Sequence, residues 1–141
     1  MKPRKTVAII SQISVKANRF IVQELEKRGI HGIVPSHGGI LYFLSLQEKM
    51  TMKELATKIH KTKPTVTVLV DKLVTLGYVY KGKCDVDCRV TYITLSEKGK
   101  SFKKDFEEIS QSLNAQIFQG ISEEEINVVE PLLEKFLHNL L

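Results

Sequence analysis

Tryptophan is absent from this chain, and cysteine and proline are scarce, at two and four residues. The two cysteines, Cys84 and Cys88, are too few and too close together to staple a small secreted domain, so the fold must rest on a hydrophobic core. No apolar run approaches the ~20 residues of a membrane span, and no membrane partner is expected. The basic start, MKPRKTVAII, is interrupted by Ser11, Gln12, Ser14 and Lys16 before a signal-peptide core forms, so a cytoplasmic location is expected. Also missing are a Gly-rich phosphate loop, a cluster of His, Cys and carboxylate side chains, and a nucleophile beside a base. Catalysis and a cofactor are therefore not expected. The C-x3-C spacing of Cys84 and Cys88, even with Asp85 and Asp87, is no recognised zinc site, and no metal is expected.

What is present is one domain's worth of sequence, 141 residues with 43% hydrophobic and 26% charged residues. The net charge of +5 is modest but unevenly spread. Residues 50–104 hold twelve Lys and Arg against five Asp and Glu, a net of +7, whereas residues 105–141 hold one against eight, a net of −7. A basic middle beside an acidic tail suits a module that faces phosphates with one end and something else with the other.

Periodicity divides the chain into helices and one hairpin. Val7, Ile10, Ile13, Ala17, Phe20 or Ile21, and Leu25 recur at three and four, predicting a helix from Thr6 to Arg28 that stops at Gly29. Ser36 is expected to cap a second helix running through Gln47. Thr51 and Glu54 form a T-x-x-E capping box for a short helix ending near Ile59. Thr62 caps the next, with Pro64 in its first turn where a missing N–H costs nothing, and this helix runs to Gly77. The two meet across the short turn His60 to Lys63, which is helix-turn-helix spacing. Residues 78–81 and 90–95, rich in β-branched and aromatic side chains, predict a hairpin around the turn 82–87. It is too small to stand alone and must lie on the helices as a wing. Ser96 caps a fifth helix to Gln119, and Ser122 with Glu125 caps a sixth. The sixth carries nine apolar residues among the last sixteen. That stripe is too broad for one neighbour, and a homodimer built from the termini follows. Pro131 should bend this last helix locally.

The expected fold is mainly α with a small β-hairpin wing. Residues 36–99 form a winged helix-turn-helix domain, and residues 1–35 and 100–141 the dimerisation helices. On the helix from Lys63, Val66, Leu69, Val70 and Leu73 must face the core. At ~100° per residue, Lys61, Pro64, Val68, Asp71 and Thr75 then point away from it, with Thr65, Thr67 and Lys72 on the flanks. Slim side chains suit entry into a major groove, where Thr hydroxyls serve bases or phosphates and Val68 a thymine methyl. Lys61, Lys63 and Lys72 flank this face as phosphate contacts. Thr51, at the positive end of the preceding helix, is a further one.

The stretch Asp87-Cys88-Arg89, five residues, then Leu95-Ser96-Glu97-Lys98-Gly99 resembles the D-x-R-x5-L-T-x-K-G motif of the MarR family, with Ser96 where Thr is usual. The resemblance extends to Glu54-Leu55-Ala56, to the run from Thr65 to Leu73 followed by Leu76-Gly77-Tyr78-Val79, and to Gly120-Ile121-Ser122-Glu123-Glu124-Glu125. It implies a homodimeric transcriptional regulator, a repressor acting on a pseudo-palindromic site in double-stranded DNA. Recognition helices would lie in successive major grooves, with Arg89 on the wing reaching DNA and Asp87 orienting it; Lys83, in the same hairpin, is a further candidate DNA contact. Two departures stand out: many members have Arg where this chain has Val68, and Pro64 replaces a residue that is often Ser.

The resemblance also implies a small-molecule effector pocket near the connector between the first two helices, where His31, His37 and Tyr42 are the candidate residues. Histidines in such a position are more often structural than ligand-binding, and Tyr42 is open to reading as a pocket wall or as plain core. Lys81, Lys83 and Arg89 surround Cys84 and Cys88 in sequence and would favour reactive thiolates, making these two the redox candidates beside the reading of inert thiols. The alternative for the whole chain is a winged-helix module that uses the same surface for protein contacts and binds no DNA.

Overall fold

A computed structural model describes residues 1–83, 86 and 89–141. Asp87, Cys84 and Cys88, named above for the wing, lie outside the described residues. Among the described residues the chain forms α1 (Thr6–Lys27), α2 (Pro35–Leu46), β1 (Met50–Thr51), α3 (Met52–Ile59), α4 (Lys63–Thr75), β2 (Val79–Lys83), β3 (Thr91–Leu95), α5 (Glu97–Ile117) and α6 (Glu123–His138). None of these helices is long and apolar enough to cross a membrane.

Most ends follow their local chemistry. Gly29, Gly77 and Gly120 take positive φ where α1, α4 and α5 stop. Ser96 and Ser122 accept from the backbone N–H three residues on, and Glu125 returns the bond to Ser122 N. Thr51 accepts from Glu54 N at 3.1 Å, which is half of the expected box. Helix α6 runs through Pro131 without ending there.

Two expectations change. Helix α2 is capped at Val34, not Ser36. Pro35 begins it with a φ already suited to helix, and the ring Nδ1 of His37, at the third helical position, reaches back to accept from the N–H of Val34 itself at 3.0 Å. The hairpin is also longer and wider than predicted. Gly82 and Lys83 belong to β2, opposite Tyr92 and Thr91, rather than to the turn. Met50 and Thr51 add a third strand on the other side of β3, giving the antiparallel order β1-β3-β2. The added strand fastens the start of α3 to the root of the wing.

One core joins these pieces. Leu25 of α1, Ile40 and Leu44 of α2, Leu55 of α3, Val66, Val70 and Leu73 of α4, Ile93 of β3, and Phe102 and Ile109 of α5 are all buried together. The winged segment therefore shares its interior with α1 and α5 across the boundaries expected near residues 35 and 100. Arg28, at the end of α1, adds a surface clamp to α5, with Nη1 2.9 Å from Asp105 and 2.7 Å from Glu108. The guanidinium holds the Glu108 carboxyl below the usual glutamate range.

The terminal helices differ from this core. In α6 no residue is buried, and Val128, Val129, Leu132, Leu133, Phe136 and Leu137 are all exposed. Val7, Ile9, Ile10 and Ile13 leave the first half of α1 equally bare.

Candidate nucleic-acid interface

The helix-turn-helix closes through His60, a non-glycine residue in the left-handed conformation at φ 56°. It lets Lys61 N return to Ala56 O at 3.1 Å and turns the chain sharply into α4. Thr62 then caps α4, and Thr62 and Thr65 share a hydroxyl hydrogen bond of 2.9 Å. Val66, Val70 and Leu73 are buried, so the opposite face is turned outward, with Pro64, Thr65, Val68, Asp71 and Thr75 exposed. Val68 is 70% exposed, the most solvent-facing apolar side chain of α4. Thr67 is half-buried and spends its hydroxyl on Lys63 O at 3.0 Å.

The wing is held against α4 at a joint assembled from the Leu95-to-Gly99 motif. Ser96 Oγ donates to Gly77 O and accepts from Gly99 N, while Ser96 N donates to Tyr78 O at 3.0 Å. Lys98 donates to Leu76 O at 2.8 Å, satisfying a carbonyl at the end of α4, and its ammonium lies 4.5 Å from the Tyr78 ring centroid. A side chain at position 99 would run into the Tyr78 carbonyl oxygen, which explains the glycine. The motif is thus a joint that fastens the start of α5 and the root of the wing to the end of α4. A further link, Lys81 to Asp71 at 3.0 Å, ties β2 to the middle of α4.

Among the expected contact residues, Thr51, Lys63 and Arg89 come together. With Met52, Lys53, Val90 and Thr91 they line a groove of about 260 Å³ between the start of α3, the start of α4 and the wing. Thr51 is half-buried there and Arg89 exposed. Lys61 is exposed in the turn just before α4. Lys83 lies elsewhere, in a second groove of about 330 Å³ on the wing with Lys49, Tyr80, Lys81, Gly82, Val86, Tyr92 and Thr94. Lys72 also departs from the group, because its ammonium folds back over Gly32 in the connector between α1 and α2. Lys49 is a basic residue that sequence reasoning missed, and its ammonium sits 4.4 Å from the Tyr92 ring centroid. The period-two alternation that puts Tyr80 and Tyr92 on one face of the wing was the available signal.

The three residues named for an effector pocket have separate settings. His31 is exposed in the connector. His37 is buried with Nδ1 used to cap α2, and burial, then the nearby Lys72 ammonium, holds its pKa below the ordinary histidine value. Tyr42 packs against Phe43 and Phe106, with ring centroids 5.3 and 6.1 Å away. A cavity of about 490 Å³ opens on another side, between the end of α2, β3 and α5, lined by Leu44, Leu46, Leu95, Lys100 and Lys103 among others.

Comparison with known proteins gives the same outline. Residues 31–89 match the model of the MarR family. MepR from S. aureus, solved in a complex with DNA, superposes with a TM-score of 0.88 at 24% identity, over 97% of this chain and 99% of that one. A mutant MarR from E. coli complexed with operator DNA gives 0.82 at 21% identity, over 92% and 91% of the two chains. A MarR transcriptional regulator from Methanosarcina mazei Go1 gives 0.80 at 22% identity, over 97% and 98%. The family match covers the helix-turn-helix and the first strand of the wing, and the likeness of fold extends along nearly the whole chain: residues 31–89 are similar to the MarR family, within a chain that shares the fold of these winged helix-turn-helix proteins.

Proposed function

We propose that this chain binds a pseudo-palindromic site in double-stranded DNA as a homodimer and represses transcription by occupying it. The observation that carries the reading is the outward face of α4, slim and free of core contacts, with Lys63 and Arg89 lining one groove beside its N-terminus. Cations there neutralise phosphates on either side of a major groove, while the short side chains of α4 allow close approach to base edges. The solved MepR and E. coli MarR relatives were captured on DNA, which supports the same use of this fold.

The dimer supplies the second half-site. A helix of sixteen residues with no buried side chain needs a partner, and the bare apolar faces of α1 and α6 offer one to a second copy. Two recognition helices must then sit about 34 Å apart, one turn of DNA. A small-molecule effector, or oxidation of Cys84 and Cys88, would release the site if it favours a different dimer geometry by differential affinity.

Fluorescence anisotropy with the protein's own upstream DNA tests this proposal across a salt series. Lys63→Ala is expected to weaken binding to all duplexes alike and to flatten the salt slope by about one unit, and Arg89→Ala to weaken it as well. Binding that is independent of salt and indifferent to both changes would instead favour a protein-interaction module.

A further inference from the structure

The outer face of α4 is unusual in what it can offer to a base. The helix KPTVTVLVDKLVT contains no Arg, Asn or Gln, the side chains that make paired hydrogen bonds to guanine or adenine edges. Its remaining polar groups are largely committed within the protein. Asp71 is held by Lys81, Thr67 donates to Lys63 O, Thr75 donates to Asp71 O, and Thr65 is bonded to Thr62. Lys72 lies over Gly32 rather than along the outer face. Lys63, at the first helical position, lines the groove with Arg89, where it is placed for a phosphate. What stands out from the centre of the face is apolar: Val68, 70% exposed, with Pro64 one turn before it.

We infer that α4 selects its site through thymine methyl groups, with Val68 and Pro64 seated on the 5-methyls of thymines in the major groove, rather than through hydrogen bonds to guanine or adenine. The inference rests on the DNA-binding reading above and specifies its chemistry. Among the described residues, Val68 is left largely uncovered by the rest of the chain. In the major groove the thymine methyl is the apolar group that distinguishes A·T from G·C pairs at that edge. Covering one methyl contributes roughly 0.8 kcal/mol, equivalent to about a fourfold change in affinity. Discrimination then comes from several such contacts in each half-site, while Lys63 and Arg89 supply affinity without choosing bases.

The experiment begins with selection of duplexes from random DNA by the full-length protein. In the selected site each thymine is replaced in turn by deoxyuridine, which removes only the methyl group. Affinities are measured for wild type, Val68→Ala, Val68→Thr and Lys63→Ala. The expected result is a loss of about fourfold at one or two thymines per half-site, and about sixteenfold when both halves are changed. Val68→Ala should bind more weakly and lose its sensitivity to deoxyuridine at one of those thymines, whereas Lys63→Ala should keep that sensitivity in full. Val68→Thr retains the side-chain shape and shows whether the loss tracks the methyl contact. Circular dichroism of each variant confirms the fold, which a change at so exposed a position should leave intact. A selected duplex indifferent to every deoxyuridine replacement, or equal sensitivity in wild type and Val68→Ala, overturns methyl readout while leaving DNA binding standing. Failure to select any duplex overturns the DNA-binding reading and the inference with it.

Discussion

Replacing Gly99 by Ala sets two effects of opposite sign against each other. Gly99 is the third residue of α5, and helix propensity alone favours alanine there by about 1 kcal/mol. Packing opposes it. The new Cβ would overlap the Tyr78 carbonyl oxygen and come within 3.0 Å of Leu95 Cδ2 and 3.2 Å of the Tyr78 carbonyl carbon. Backbone cannot swing aside as a side-chain tip can, so α5 and the Tyr78 peptide must separate by roughly an ångström to restore normal contact. That motion pulls on Ser96 N to Tyr78 O and on Ser96 Oγ to Gly77 O, the two bonds that define the joint. Overpacking costs about 2 kcal/mol and the weakened bonds about 1–2 kcal/mol more, so after the propensity gain the variant should be less stable by about 2–3 kcal/mol. For a chain of this size that corresponds to a Tm about 6–12 °C lower, read by circular dichroism at a fixed protein concentration. Gly82→Ala is the control, since an added Cβ there meets nothing within 4 Å among the described residues and should leave Tm essentially unchanged. A Gly99→Ala protein as stable as wild type, or more so, would refute the reasoning and return the position to simple propensity.

Ser96→Ala removes the cap of α5 and the donor to Gly77 O, so urea denaturation should show a loss of about 1–2 kcal/mol, whereas Ser96→Thr keeps the hydroxyl and most of the stability. His37 has its pKa depressed in the folded chain, so the unfolded chain binds more protons below the ordinary histidine value of ~6.5. Its contribution is complete above that value and is lost as pH falls from there toward the depressed folded pKa. His37→Asn, which keeps an acceptor near Nδ1, should therefore flatten the decline in urea midpoint between about pH 7 and 5; an unchanged slope would count against it. Leu133→Asp places a charge on the bare face of α6 and should give a monomer by analytical ultracentrifugation, with affinity for a two-half-site duplex lower by ~100-fold or more. A stable dimer in that variant would move the interface elsewhere.

Recognition of the helices and of the face of α4 required only the order of residues, because caps and amphipathic stripes relate positions three or four apart. Thr62, Pro64, Val66, Val70 and Leu73 mark α4 and its buried side without reference to anything distant, and the same logic leaves Val68 outside. The over-apolar α6 likewise announces a missing neighbour through its own composition. Other features depended on elements meeting across the fold. The two-residue strand β1 is too short to carry a period and exists only because β3, some forty residues later, pairs with Met50 and Thr51. His37 reaches back from α2 to the N–H of Val34, Lys72 lies against Gly32 rather than along the outer face of α4, and Asp71 is paired with Lys81. The order of residues therefore determined which segments are helical and which face of α4 is free, since those are properties of neighbours along the chain. Tertiary structure decided the settings of Asp71 and Lys72, because an ion pair or close contact depends on whichever distant group the packing brings within reach, whereas the bonds of Thr65, Thr67 and Thr75 are made to residues three or four positions away.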